Sequence, residues 1–194
     1  MCQRTSFEED VITLKEQGYE GVGIWKDKLL DYGVEKAKEL LDEVGLAVSS
    51  LQWAGGFTGD EHLRYEECIA DAHEAIDLAA TLEANCLVVY SGGRAGHTRK
   101  HCRKLFQEAL TRIVPYAAAK NVTLGLEPMH PATSSRWSIS DSLAEMLDWV
   151  EKFNNPFLKL IFDSYHICHD PEWPRWLERH RRRICLIHIA DADE

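Results

Sequence analysis

Residues 158–166 read LKLIFDSYH, an apolar run that ends abruptly on Asp163 and then His166. Two further segments follow the same pattern. Residues 122–128 form an apolar run that closes on Glu127, and residues 184–191, ICLIHIAD, form one that carries His188. Short continuous apolar runs of this kind suit strands buried on both faces, as in a parallel sheet covered by helices. In a barrel of such strands the side chains at the carboxyl ends converge above the core, so groups far apart in sequence meet around one point. Glu127, Asp163 and His188 are therefore read as three ligands of one ion.

The rest of the chain alternates in the same sense. Ser6 with Glu9 has the spacing of a capping box, and Phe7, Val11 and Leu14 recur at helical spacing before Gly18. Strands are expected at 21–25, 47–53 and 86–91, a helix carrying Ala37, Leu40, Leu41 and Val44 up to Gly45, and a longer helix over 63–82. The AGGFTG loop after the 47–53 strand lacks the spacing of a phosphate fingerprint and is read as a turn. A helix over 100–120 contains Pro115, which is expected to kink or divide it. Ser142 and Glu145 form a second capping box, and Pro174 opens a short arginine-rich helix before the last strand. Residues 1–5 are a marginal first strand. The expectation is an α/β fold, an incomplete (β/α)8 TIM barrel of about seven strands in one domain over 1–194, with the eighth βα unit missing. An open flavodoxin-like sheet shares the alternation. The barrel is favoured because Trp25, Trp53, Tyr90, Glu127, Asp163 and His188 would line one rim, whereas an open sheet gathers ligand groups at one switch point.

Composition narrows the partners. The 194 residues are 45% hydrophobic with a formal net charge of −10, which argues against nucleic acid or an anionic membrane surface as partner. Six cysteines, Cys2, Cys68, Cys86, Cys102, Cys168 and Cys185, are scattered without a C-x-x-C pair and are read as reduced thiols of a cytoplasmic protein. The N-terminal residues have no apolar signal region, and no segment approaches about 20 apolar residues.

LEPMHP around Glu127, FDSYH around Asp163 and HIAD around His188, together with GYEGVGIW and SSLQWAGGFTG, resemble the xylose isomerase-like TIM barrels, specifically the sugar phosphate isomerase/epimerase group. The resemblance implies a divalent ion, Mn, Mg or Co, held by Glu127, Asp163, His188 and a second glutamate on an eighth strand that this sequence does not contain. Glu194 follows His188 too closely to replace it. The implied reaction is isomerisation or epimerisation of a sugar, sugar phosphate or cyclitol by proton abstraction next to a carbonyl, through an enediolate, with Glu127 as base. His166 matches the family's D-x-x-H histidine and is carried over as substrate-binding. Where ketose epimerases place another carboxylate after the first glutamate, this loop offers His130 and Thr133. Trp53, His130, Arg94 and His97 complete the expected substrate contacts, since loops at strand ends carry function in barrels.

Each of these residues also has a plain structural reading. A strand-end carboxylate can cap a helix, a histidine can bond to backbone, and Trp25, Trp53 and Tyr90 can simply plug the barrel mouth. The arginines of 179–183 are read as a solvated cluster at a helix end. Two other functions stand beside the isomerase: a truncated, noncatalytic sugar-binding or vestigial barrel, and an AP-endonuclease-like metal hydrolase, which would need further histidines on the third and fourth strands. The 194-residue chain as it stands is expected to be inactive, poorly stable and prone to form homo-oligomers through open sheet edges.

Overall fold

In a computed structural model, residues 1, 4–58, 63–130, 132, 136–167 and 169–190 are described. The predicted capping box starts the first helix, α1 (Phe7–Glu16): the Ser6 side chain accepts from the Glu9 backbone, and the Glu9 carboxylate accepts from the Ser6 N–H. Strand β1 (Gly21–Trp25) runs directly into α2 (Lys26–Tyr32) and α3 (Val34–Val44), which Gly45 ends in the left-handed conformation. Then come β2 (Ala47–Ala54), α4 (Tyr65–Thr81), β3 (Leu87–Val89), α5 (Arg99–Ala119), β4 (Leu124–Leu126) and α6 (Leu143–Phe153). Strand β5 (Leu158–Asp163), the single-turn α7 (Ser164–Ile167), α8 (Trp173–His180), a 3-10 turn (Arg181–Arg183) and β6 (Ile184–His188) complete the fold.

All six strands pair in parallel, and their order in the sheet is their order in the chain, β1-β2-β3-β4-β5-β6. A doubly wound open sheet reverses strand order at a switch point, so this order excludes it. The architecture is an arc of a TIM barrel. Leu87, Val89, Leu124, Leu126, Leu158, Leu160 and Phe162 pack against the helices in one core with Ile69, Ile76, Phe106 and Ile113. Alternate positions face the barrel axis, and some of them must be small. A Cβ on Gly125 would lie 2.6 Å from Ile161 Cγ1 and 3.0 Å from Cys185 Sγ. Gly125→Ala is therefore expected to destabilise the fold by about 1–3 kcal/mol, read by denaturant titration, and to disturb Glu127 two residues later.

Two expectations are corrected. Residues 4 and 5 form a turn leading into the Ser6 cap, with Cys2 and Gln3 outside the described residues, so the sheet has six described strands rather than about seven. Pro115 does not divide its helix: α5 is continuous over 21 residues, because Phe106, Leu110, Ile113, Val114 and Ala117 anchor both halves to the core. The FDSYH segment coils at once into α7, where Asp163 Oδ1 accepts from the Tyr165 N–H at 2.8 Å and the His166 N–H at 3.3 Å.

Cys68, Cys86, Cys102 and Cys185 are free thiols, while Cys2 and Cys168 lie outside the described residues. Among the described residues no helix is long and apolar enough to cross a membrane. β1 and β6 each pair on one side only among those residues, and beside β6 Ile187 and Ile189 are 50% and 88% exposed. Unpaired ladder groups next to apolar side chains template association. Purified by itself, the 194-residue polypeptide is expected to self-associate as its concentration rises, and Ile187→Lys to reduce that, as sedimentation velocity would measure.

Candidate metal centre

Three consecutive strands deliver the three expected ligands to one rim. Glu127 directly follows β4, Asp163 ends β5 and His188 ends β6, with Asp163 and His188 opposite one another in the parallel register. His188 Nδ1 lies 3.0 Å from Glu127 Oε1 and 3.4 Å from Asp163 Oδ2. One ligand atom from each residue falls within 4.8 Å of the other two. Atoms bound to one ion at about 2.0–2.3 Å lie at most about 4.6 Å apart, so the cluster is already near the size of a coordination shell.

The donor chemistry fits a divalent cation. Glu127 is only 4% exposed, and a carboxylate buried to that degree requires a positive partner or a proton. In the described protein the partner is His188, whose pKa is pushed up to about 9 by its bonds to Asp163 and then Glu127, against the opposing effect of burial. Burial by itself would raise the Asp163 carboxyl, but the bond to His188, the neighbouring His166 ring and the N–H groups of His166 and Tyr165 together bring it below its usual value. A protonated imidazole thus occupies the electrostatic place of a cation. Two carboxylate oxygens and one imidazole nitrogen are ordinary donors to a divalent cation.

That arrangement fixes the sign of a pH effect. A metal must displace the His188 proton, so affinity for Mn²⁺ is expected to rise with pH up to about 9 and flatten above it. For the metal-free protein the folded pKa of His188 exceeds its unfolded value. Its contribution to stability is complete below about 6.5 and is lost as pH climbs through about 9. Calorimetric Mn²⁺ titrations and metal-free melting curves across this range check both statements.

Above the triad opens a cleft of about 1300 Å³, with Trp25, Trp53, Tyr90, Met129, Trp137 and His166 in its walls. Tyr90 and Trp137 meet edge to face at 5.8 Å, and Trp53 is exposed to the opening. His166 Nδ1 accepts the His130 N–H at 3.0 Å, which leaves the ring proton on Nε2.

The other expected contacts lie elsewhere. The His130 side chain is not in the cleft wall: its Nδ1 accepts from the Ala132 N–H and its ring packs against Tyr165 and His169, so it supports His166 from behind. Arg94 and His97 also stand outside the cleft, in the turn before α5, where the Arg94 guanidinium donates to the His97 carbonyl at 3.3–3.4 Å. The reason is local. Gly92, at φ 89°, turns the chain away and donates its N–H to the Trp137 carbonyl, while Ser91 bonds to Ser138 and to the Ile139 N–H. That network brings Trp137, a residue without a motif of its own, to the cleft wall. Lys26 and Asp71, an ion pair in the same cleft, were equally invisible as a pair. Thr133, Asp191 and Glu194 lie outside the described residues.

Comparison with known proteins agrees with this architecture. No curated protein matches the chain. Among solved structures, a Sinorhizobium meliloti protein is 27% identical with a TM-score of 0.90, over 97% of this chain and 70% of that one. An apo 3-keto-D-glucoside 4-epimerase from E. coli is 20% identical with a TM-score of 0.83, over 96% of this chain and 74% of that one. A family 2 AP endonuclease from Brucella melitensis is 20% identical with a TM-score of 0.82, over the whole of this chain and 80% of that one. At 20% identity these likenesses establish a shared fold. Residues 11–194 match the model of the xylose isomerase-like TIM barrel, and the chain belongs to that family.

Proposed function

We propose that this chain carries the metal-binding half of a sugar isomerase or epimerase site, with Glu127, Asp163 and His188 as ligands of Mn²⁺, Mg²⁺ or Co²⁺ and Glu127 as the catalytic base. The observation that carries the reading is the nearly buried Glu127 carboxylate, clustered with Asp163 and His188 beneath an aromatic-walled cleft. A bound divalent ion supplies Lewis-acid stabilisation of the negative charge that grows on a carbonyl oxygen when the neighbouring carbon loses a proton. Glu127 takes that proton, and its burial keeps water from competing for it. The Nε2–H of His166 donates to a substrate oxygen, held in position by the His130 backbone. Trp25 and Trp53 offer aromatic faces to the sugar ring. Return of the proton from the opposite face calls for a second acid, which the family resemblance assigns to a further strand of the barrel. On this reading residues 1–194 form one domain of a cytoplasmic enzyme, and that domain closes only with further strands.

The AP endonuclease match keeps a hydrolase in view, because the fold is common to both. The residues favour the isomerase. The ends of β2 and β3 supply Gln52, Trp53, Tyr90 and Ser91, none of them a histidine that would enlarge the cluster, and the net charge of −10 opposes a phosphate backbone. Incubating the Mn²⁺-loaded protein, extended through the eighth strand, with ketoses in D₂O separates the readings. Deuterium is expected to enter the carbon next to the carbonyl in a metal-dependent manner. Cleavage of abasic DNA without any sugar exchange would overturn the proposal, and metal-independent sugar binding without exchange would favour a noncatalytic binding protein.

A further inference from the structure

Away from the triad, the cleft contains an ion pair that the proposed chemistry does not use. Lys26, the first residue of α2, is bonded to Asp71 of α4, and both line the cleft with side chains 12% and 31% exposed. Its neighbour Lys28 is held by Asp10 at 2.5 Å. An ammonium has three N–H groups, and among the described residues the Lys26 ammonium is bonded to Asp71 alone. Asp71 in turn keeps acceptor sites on its second oxygen. The pair therefore presents donors and acceptors side by side, which matches neighbouring hydroxyls that each give and receive a hydrogen bond.

The same place is hostile to a phosphate. Asp27, Asp31 and Asp71 add three carboxylates to Glu127 and Asp163 around the cleft, against Lys26 and Lys28, so the wall stays net negative even with a divalent ion bound. Each lysine already has a carboxylate partner. A phosphate, carrying about 1.5–2 negative charges at neutral pH, would meet Asp71 beside the Lys26 ammonium.

We propose that Lys26 and Asp71 form a hydroxyl-recognition site of the cleft and that its substrate is an uncharged sugar or cyclitol, with sugar phosphates excluded. This rests on the reading of the cleft as a metal-assisted sugar site. The geometry adds the substrate's charge class: Trp25, Lys26 and Asp71 line one cleft, so a sugar ring bound there has both an indole and the pair to meet.

The test uses the full chain loaded with Mn²⁺ and calorimetric binding of D-fructose, D-allulose and myo-inositol against D-fructose 6-phosphate and D-allulose 6-phosphate. At least one uncharged ligand is expected to bind about tenfold or more tightly than any phosphate. Lys26→Gln is expected to weaken that ligand about tenfold or more while leaving Mn²⁺ affinity unchanged. Asp71→Asn is expected to raise phosphate affinity, and it decides the matter should Lys26→Gln fail to fold. Tighter binding of a phosphate, no uncharged ligand bound at millimolar concentration, or unchanged sugar affinity in Lys26→Gln would overturn the assignment. Chelation of the metal separates the two levels. Sugar binding that survives chelation yet still falls in Lys26→Gln counts against the metal chemistry alone. Metal-dependent exchange that is indifferent to both substitutions counts against Lys26 and Asp71 alone.

Discussion

In a version extended through the eighth strand, Glu127→Gln is expected to leave the barrel folded and, with a confirmed substrate and saturating Mn²⁺, to lower turnover by about 10²–10⁴-fold, the usual contribution of a positioned base. The amide matches the carboxylate in size, so the packing around this buried side chain survives. What changes is charge. A glutamine cannot accept the substrate proton, and it removes one of the two carboxylates that hold His188 at 3.0 and 3.4 Å. The pKa of His188 should fall back from about 9 toward the usual imidazole value as that support goes, which histidine NMR titration can follow in the metal-free protein. Saturating metal separates lost ligation from lost proton transfer. Full turnover in this variant would mean that the base lies elsewhere.

Asp163→Asn is expected to weaken Mn²⁺ binding by about 100-fold or more, since even changes behind the ligands of a metal site cost about 10–100-fold. The two oxygens of Asp163 do different work. Oδ1 accepts from the N–H groups of Tyr165 and His166 and so starts α7, while Oδ2 faces His188. An asparagine can keep its carbonyl on the backbone N–H groups and preserve the turn. Its NH₂ group then points at His188 in place of a ligand oxygen. The loss should therefore appear in metal affinity far more than in melting temperature. Unchanged affinity would remove Asp163 from the ligand set.

The triad was legible in the sequence because a parallel barrel converts a one-dimensional feature, the last residue of an apolar run, into a position on the rim. Glu127, Asp163 and His188 needed only strand assignment, and the register of β4, β5 and β6 did the rest. Trp137 was not legible for the opposite reason. It reaches the cleft through hydrogen bonds among Ser91, Gly92, Ser138 and Ile139, which join segments nearly fifty positions apart and leave no periodic trace. Arg94 and His97, which do not line the cleft, show the converse limit. Being just after a strand places a residue near the rim, but the positive φ of Gly92 decides which way the loop leaves it. Lys26 and Asp71 show a third limit: each is an ordinary charged residue near a helix start or in a helix, and only the packing of α4 beside β2 and β3 makes them a pair. Pro115 does not divide its helix because the local rule about helix breaking is outweighed by a buried stripe running the length of α5.

On the proposed reading one divalent ion is held jointly by Glu127, Asp163 and His188. Pulsed electron paramagnetic resonance of the Mn²⁺-loaded protein tests it most directly. The prediction is one bound ion per chain with the nitrogen coupling of a single imidazole, a coupling that disappears in His188→Ala. Stoichiometric Mn²⁺ without that coupling, or a coupling that persists after His188 is removed, would contradict it.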